Sequence, residues 1–325
     1  MTGSFRRTKS GRWEVFLMIE GSRKTATFDS KRECQLWVAE QTHKGLGNYK
    51  WRLEDLAKRY AEEVSPKKKG GRWEVIRLNA LSESFPKLFN KRLDNISRED
   101  LEAMIAVRSE SVSNSTINRE LNLLSAVFTQ GRRWRMMTGK PTADLVRPKD
   151  PPHRDRRISE VEIEMILHAL SYSEEAPISM QRQRVAIAFL LAIETAMRQG
   201  ELCQVPWKDV WLDERFIRID HSITKTGVGR EVPLSAEAVR LINRIPKRGS
   251  LMLGVTAGTV STIFRKAVSD AGIDNLKFHD SRHEATTRLA QRLMVLDLAR
   301  VTGHRDIRQL MTYYNKNARE LADLL

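Results

Sequence analysis

The chain has 325 residues, which is enough for two or three domains with at least one sizeable core. A hydrophobic fraction of 41% and a charged fraction of 30% exclude a fibrous or disordered protein. Lys and Arg number 56 against 41 Asp and Glu, and the net charge of +15 favours a polyanionic partner such as nucleic acid.

Cys34 and Cys203 are too few for a disulfide framework and lack the spacing of a zinc site, which fits a reducing compartment. The residues from Met1 to Arg7 include no apolar signal segment. No stretch approaches the ~18 consecutive apolar residues of a membrane span. We therefore expect a cytoplasmic, nucleoid-associated protein that does not bind membranes.

Residues 1–48 predict a small sheet-plus-helix module. Apolar residues alternate with others in the stretch 12–19, and a Gly-Ser turn and the stretch 24–28 follow, which is the pattern of a β-hairpin. Ser30 and Glu33 have the spacing of a capping box, so we expect a helix to begin there.

Residues 49–138 have the apolar period of helices that pack into a bundle. Ser97 and Asp100 can cap one of these helices. Lys67, Lys68 and Lys69 interrupt the pattern and form either a phosphate-binding loop or an ordinary solvated turn. The apolar stripes are Leu53, Leu56, Tyr60 and Val64 in one helix, and Ile117, Leu121, Leu124 and Phe128 in another.

Residues 139–157 combine four prolines with Arg and Lys, which predicts a basic linker that could follow a DNA backbone. Ser159 and Glu162 then form a further capping-box pattern, with which the largest segment, residues 158–325, begins.

The apolar run from Val185 to Ile193 predicts a buried helix. We expect Gly200 to permit a sharp change of direction after it, which places Arg198 at a helix end beside a core. Taken alone, this arginine is better explained by snorkelling or by an ion pair with Glu201 than by a functional role.

Two short strands, near residues 216–219 and 231–233, flank a glycine-rich hairpin tip that carries Lys225 and Arg230. A lysine at such a tip is usually solvated. On a hairpin that docks on DNA, however, its ammonium could protonate a leaving oxygen, and Arg230 could contact the DNA.

Ser281 and Glu284 have capping-box spacing at the start of an apolar helix, and helix N-termini attract phosphate. His279 and Arg282 flank this start and would supply a proton-exchanging imidazole and a bidentate guanidinium. His283 competes with His279 for the same role.

His304 lies in a turn, and a short helical pattern with Tyr313 and Tyr314 follows it. A tyrosine hydroxyl, with a pKa of about 10, needs nearby positive charge and a base to attack at neutral pH. A phosphodiester also needs its charge neutralised and its leaving oxygen protonated. The candidate residues supply each of these roles without a metal.

The order of these residues resembles the signature of the tyrosine recombinase or phage integrase family, an Arg, a hairpin Lys, a His-x-x-Arg, a His or Trp and a Tyr. The interval after His304 favours Tyr313 over Tyr314. Ala196 stands where many members have Gly. The matching residues are Arg198, Lys225, His279, Arg282, His304 and Tyr313.

The resemblance covers residues 158–325 closely and the first half only in arrangement. It implies an α+β, mainly α fold in which residues 1–48 bind arm-site DNA, residues 49–138 form a helical domain that binds core-site DNA, and residues 158–325 form a mainly helical catalytic domain with a small β-hairpin sheet.

In the mechanism that the resemblance implies, Tyr313 attacks the scissile phosphate to give a 3′-phosphotyrosyl link and a free 5′-hydroxyl, which Lys225 protonates. His279 acts as general base. Arg198, Arg282 and His304 stabilise the transition state, and Glu201 orients Arg198 or His279. No cofactor, ATP or metal is implied.

The resemblance further implies a phage or prophage integrase that works as a homotetramer on paired double-stranded attachment sites. A DNA-bending host factor and an excisionase would be additional partners. The C-terminal residues 317–325 would either dock on a neighbouring subunit or fold back on their own domain. Two rival hypotheses are a non-catalytic DNA-binding regulator of the same fold and a type IB topoisomerase.

Overall fold

The computed structural model of the chain describes residues 4–19, 22–45, 51–152, 154–224 and 227–314. Its contacts divide the chain into two compact units, Met1–His153 and Arg154–Leu325. Within the described ranges, no helix is both long and apolar enough to cross a membrane. The tail 317–325, for which two docking modes were expected, lies outside the described residues.

The first unit begins with a small antiparallel sheet and a helix, as the alternating pattern predicts. Val15 and Leu17 are buried together with Cys34 of the helix. The predicted hairpin is confirmed, but an additional strand precedes it, whose only apolar residue is Phe5. The elements are β1 (Ser4–Arg7), β2 (Trp13–Ile19), β3 (Ser22–Phe28) and α1 (Lys31–Gly45), with strand order β1-β2-β3.

The first unit continues as a helical bundle, which confirms the predicted apolar stripes. Leu56 and Tyr60 of one helix and Leu121 and Phe128 of another are at most 2% exposed. The predicted cap at Ser97 is present, since its amide donates to Asp100 Oδ2 at 2.8 Å. The helices are α2 (Leu53–Glu63), α3 (Gly71–Ser84), α4 (Pro86–Phe89), α5 (Arg98–Ser109) and α6 (Asn114–Arg133).

The three consecutive lysines lie in the break between α2 and α3, as predicted, and all three residues are exposed. The ammonium of Lys68 folds back to donate to the hydroxyl of Tyr60 and to Glu74 at 2.9 Å. Lys68 therefore stabilises the bundle, whereas Lys67 and Lys69 lie on the solvent side of the break.

The second unit is mainly helical around the buried helix α8. Phe189 of α8, Phe264 of α11 and Phe278 pack with ring centroids 5.0 to 6.3 Å apart, which fixes the start of α12. The elements are α7 (Glu160–Ala169), α8 (Gln181–Thr195), α9 (Gln199–Leu202), β4 (Val210–Trp211), β5 (Phe216–Ile219), β6 (Arg230–Pro233), α10 (Ala236–Asn243), α11 (Ala257–Asp270), α12 (Asp280–Ala290) and α13 (Val295–Thr302), followed by a 3₁₀ segment (Ile307–Tyr313).

The strands β5 and β6 form the predicted hairpin, and β4 adds a third strand in the order β4-β5-β6. Ile217, Ile219 and Val232 of this small sheet join the core formed by the helices, which agrees with the expected α+β, mainly α fold. The cap predicted for α7 is also present, because the Ser159 hydroxyl accepts from the Glu162 amide at 3.2 Å.

The start of α12 differs from the predicted capping box. The hydroxyl of Ser281 donates to the Phe278 carbonyl at 2.6 Å, and Glu284 accepts from Arg157 Nε at 2.6 Å and Arg288 Nε at 2.8 Å. The prediction was wrong because Arg157, which is distant in the sequence, and Arg288, one helical turn further along α12, compete successfully for the Glu284 carboxylate. The helix instead begins at Asp280, which accepts the Lys277 amide at 2.8 Å.

Two arginines at the end of the predicted basic linker make contacts that the sequence pattern did not predict. Arg154 donates twice to Asp280, at 2.6 Å each, and Arg157 donates to Glu284 at 2.6 and 3.0 Å. Both carboxylates are at most 2% exposed. These two arginines therefore anchor α12 within the second unit through buried carboxylates.

Candidate active site

The candidate site starts where helix α8 ends. Ala196 closes α8 with a left-handed backbone, φ +53°, and so makes the change of direction that the sequence assigned to Gly200. A non-glycine residue in this region is strained, and it persists because the surrounding core fixes it. The turn leaves Arg198, 24% exposed in its side chain, as the residue before α9.

Glu201 joins two arginines beneath this turn. It is 2% exposed, accepts from Arg198 Nη1 at 3.0 Å, and receives two bonds from Arg230, at 3.1 and 2.7 Å. Burial would raise the pKa of Glu201, but the hydrogen bonds and charge of Arg230, with help from Arg198, lower that pKa to about 2.

Arg230 was predicted to contact DNA, but the structure buries it. Its side chain is 9% exposed, and its Nε donates to the Val301 carbonyl at 2.9 Å while its other nitrogens bind Glu201. The hairpin pattern could not predict this burial, because the hydrogen-bond partners of Arg230 belong to α9 and α13. The Arg230 side chain thus connects β6 to the segment before His304 by a hydrogen bond.

Arg282 lies at the centre of the site and is 5% exposed. It donates to the carbonyl of Ala196, to that of Thr302 at 2.7 Å, and to Nε2 of His304 at 3.3 Å. Burial and the charge of Arg198 lower the pKa of Arg282, but a guanidinium starts so high that it remains charged.

His304 follows Gly303, whose φ of +71° ends α13. The Thr302 hydroxyl donates to the Leu298 carbonyl and lies 2.7 Å from His304 Nδ1, so it accepts a hydrogen bond from the Nδ1–H group. Nε2 is then free of hydrogen and accepts from Arg282. Burial, followed by the charges of Arg282 and Arg198, lowers the pKa of His304 to about 4, so this imidazole is neutral at pH 7.

The two adjacent tyrosines have different surroundings. The hydroxyl of Tyr313 lies 2.7 Å from Nδ1 of His283, inside the site. The hydroxyl of Tyr314 donates to the Leu293 carbonyl at 2.8 Å, so this residue contacts the segment between α12 and α13. Burial raises the pKa of Tyr313, and the charge of Arg282 partly opposes that rise.

His279 immediately precedes α12 and is exposed, and its ring meets the ring of His283 edge-on with centroids 5.3 Å apart. The imidazole that touches Tyr313 is therefore that of His283. The sequence analysis identified both histidines as candidates for the proton-exchanging imidazole. In the structure they are one helical turn apart, and only His283 contacts the Tyr313 hydroxyl.

Five of the six predicted catalytic residues converge. The charge of Arg198 affects the pKa values of His279, Arg282 and His304, and the charge of Arg282 affects that of Tyr313. Lys225 lies outside the described residues, between Thr224 and Gly227. The site therefore gathers several positive groups around Glu201, which favours an anionic ligand.

Metal-ion ligands can be assessed in the same part of the chain. Among the described residues, no group of three or more His, Cys, Asp or Glu side chains is arranged to hold a metal ion. The groups available for chemistry here are guanidinium, imidazole and phenol groups.

Comparisons with known proteins show the family to which the chain belongs. The model of the phage integrase family matches residues 156–320. A protein of Haemophilus influenzae, provisionally named an integrase/recombinase, is 32% identical over 306 residues, which are 90% of this chain and 98% of that relative.

Solved structures share the fold at lower identity. The Tn1549 transposon integrase, in complex with a circular intermediate DNA, is 18% identical with a TM-score of 0.69 and covers 84% of this chain and 99% of its own. Lambda integrase, in a tetramer bound to a Holliday junction, is 17% identical with a TM-score of 0.65 and covers 93% of this chain and 95% of its own.

Proposed function

Because the chain belongs to the phage integrase family and is a tyrosine site-specific recombinase, we propose that Tyr313 is the nucleophile that cleaves and rejoins DNA. The observation that carries this proposal is the position of the Tyr313 hydroxyl, which lies within the field of the buried Arg282. Tyr314 is occupied in packing against Leu293, which supports the choice between the two tyrosines.

In the proposed reaction, Arg198 and Arg282 bind the nonbridging oxygens of the scissile phosphate. Both guanidinium groups are held in place by protein acceptors. They therefore need little rearrangement when negative charge develops on the phosphate oxygens in the transition state. A phosphate would also replace His304 Nε2 as an acceptor for Arg282. The added negative charge would raise the pKa of His304, so that Nε2 gains a proton and donates to the phosphate.

Cleavage forms a bond between the Tyr313 oxygen and phosphorus and breaks the bond from phosphorus to the 5′-oxygen. We propose that Lys225, on the hairpin between β5 and β6, gives its proton to that leaving oxygen. The phosphotyrosyl ester keeps the energy of the broken bond, so the same residues run in reverse to rejoin a strand. His279, exposed at the start of α12, is proposed to contact the phosphate.

We further propose that the first unit supplies DNA binding outside the cleavage site. In the sheet β1-β2-β3, Arg6 and Arg23 share the face that carries Phe16, opposite the buried Val15. This exposed basic face fits arm-site DNA. Lys67 and Lys69 and the helices around them fit core-site DNA, with the roles of residues 1–48 and 49–138 as expected from the sequence.

The proposed biological role is integration or excision of a mobile element by a homotetramer on two paired attachment sites at the nucleoid. Lambda integrase forms a tetramer on a Holliday junction, and the chain has the same fold. A DNA-bending host factor and an excisionase would then set the direction of the reaction.

The direct test uses a pool of nicked duplexes with randomised cores. A nick beside the cleavage site lets the 5′-hydroxyl fragment diffuse away, so the phosphotyrosyl intermediate accumulates. We expect denaturing gels to reveal a covalent adduct from the wild-type chain and from Tyr314→Phe but none from Tyr313→Phe. Absence of an adduct from the wild-type chain after repeated selection would contradict the proposal.

The sequences captured in the adduct define a core site for a second assay. A supercoiled plasmid with two such sites should yield recombined circles. Relaxed plasmid without recombination would favour the topoisomerase alternative instead.

A further inference from the structure

We propose that His283, and not the His279 of the His-x-x-Arg pattern, takes the proton from Tyr313 during DNA cleavage. The inference rests on the proposed function of Tyr313 and extends it by naming the base. It assigns a catalytic role to a residue that directly follows the arginine of the pattern.

The geometry of this pair is that of a proton donor and acceptor. Nδ1 of His283 lies 2.7 Å from the Tyr313 oxygen, within the 2.6 to 3.2 Å expected of a general base. The two rings pack with centroids 6.2 Å apart and an angle of 31° between their planes. The acceptor and the reacting atom are thus in contact before any DNA is present.

The positions of the two residues are fixed by separate elements. His283 lies in the first turn of α12, between Arg282 and Glu284, which are held by backbone carbonyls and by Arg157 respectively. Tyr313 ends the 3₁₀ segment, where Leu310 is fully buried. The hydrogen bond therefore joins two anchored elements.

His279 is one helical turn before His283 and has a different exposure. It lies at the open end of α12 and is exposed, whereas His283 is half-buried beside Tyr313. An exposed imidazole next to Arg282 is suited to meet a phosphate oxygen arriving with DNA. Its edge-on contact with His283 also leaves the Nδ1 side of His283 directed to Tyr313.

The proposed step balances without any additional reactant. The O–H bond of Tyr313 breaks, and its proton forms an N–H bond at Nδ1 of His283, which must begin as the tautomer with hydrogen on Nε2. The electron pair that remains on the phenolate oxygen forms the bond to phosphorus. The 5′-oxygen leaves with the electrons of its broken bond and receives a proton from Lys225.

The first test replaces His283 by a residue that can hydrogen-bond but cannot accept a proton. In His283→Asn, single-turnover cleavage of a nicked duplex carrying the captured core site should fall by about 100-fold or more, with unchanged affinity for that duplex. His168→Asn, an exposed histidine of α7, is the matched control and should cleave at the wild-type rate.

The decisive test distinguishes a base from a residue that only positions Tyr313. Fluorinated tyrosines, introduced at position 313 by stop-codon suppression, have lower phenol pKa values and need less help from a base. If His283 is the base, the defect of His283→Asn shrinks as fluorine is added. A defect that stays constant across the series would mean that His283 has only a structural role, and would overturn the proposal.

A parallel series in His279→Asn separates the two imidazoles. We expect the cleavage defect of His279→Asn to be insensitive to fluorination. If the defect shrinks only in His279→Asn, then His279 and not His283 is the general base. If His283→Asn does not fold, as judged by circular dichroism, His283→Gln is carried through the same series. Cleavage by Tyr313→Phe would instead contradict the underlying nucleophile assignment.

Discussion

The buried carboxylate of Glu201 gives the strongest prediction for stability. In the folded chain its pKa is about 2, compared with 4.5 for an ordinary Glu, because Arg230 and Arg198 offset the effect of burial. A carboxyl group with a lowered folded-state pKa stabilises the fold above its ordinary pKa. This stabilisation is lost as the pH falls from 4.5 towards 2.

The magnitude follows from the difference between the two pKa values, which corresponds to about 3 kcal/mol at pH 7 and about 1 kcal/mol at pH 3. The substitution Glu201→Gln keeps the shape of the side chain but removes the charge. We expect it to lower the free energy of unfolding by those amounts, with the larger loss at pH 7.

Native-state hydrogen exchange of the full chain measures this free energy through the amides of α8, which is the buried core helix of the second unit. Glu231→Gln is the matched control, since Glu231 is 60% exposed and lies 3.5 Å from Arg218. We expect this control to change the stability by less than about 0.5 kcal/mol. An equal loss at both pH values in Glu201→Gln would refute the reasoning.

Two further substitutions test the supports of the site. Gly303→Ala should destabilise the second unit by about 1 to 3 kcal/mol more than the control Gly272→Ala. Both glycines have positive φ, but only at Gly303 would an added Cβ lie 3.1 to 3.2 Å from the Arg230 guanidinium. Equal melting temperatures for the two variants would contradict this. Arg154→Ala should lower the free energy of unfolding in urea by about 1 to 3 kcal/mol, because it leaves the buried Asp280 carboxylate without this ion pair. An unchanged urea midpoint would show that the pair contributes nothing to stability.

Features encoded within a few residues could be predicted from the sequence. The caps at Ser97 and Ser159, the buried stripe around Leu56 and the pairing of β5 with β6 all depend on local spacing. The order of the motif residues also predicted which side chains meet in the second unit. These features can be predicted because the interactions that form them involve residues close together in the sequence.

Features that depend on distant partners could not be predicted in the same way. Arg157 competes for Glu284 from 127 residues away, and Arg230 reaches Glu201 across 29 residues. Local spacing therefore gave a capping box and a surface arginine where the fold makes buried ion pairs. The hydrogen bond from the Tyr313 hydroxyl to His283 depends on the same kind of tertiary arrangement.

The backbone at the end of α8 illustrates a further limit. Glycine is the residue that normally signals a left-handed turn, so the pattern directed attention to Gly200. Ala196 adopts that conformation because the fully buried core around it determines its backbone. Strain of this kind is visible only once the packing is known.

Identifying the residue that becomes linked to DNA tests directly whether Tyr313 is the nucleophile. The wild-type adduct with the captured core site is digested with nuclease and protease, and tandem mass spectrometry locates the phosphonucleotide on the peptide. We expect a 3′-phosphate ester on Tyr313. An ester on Tyr314, or on any other residue, would contradict it.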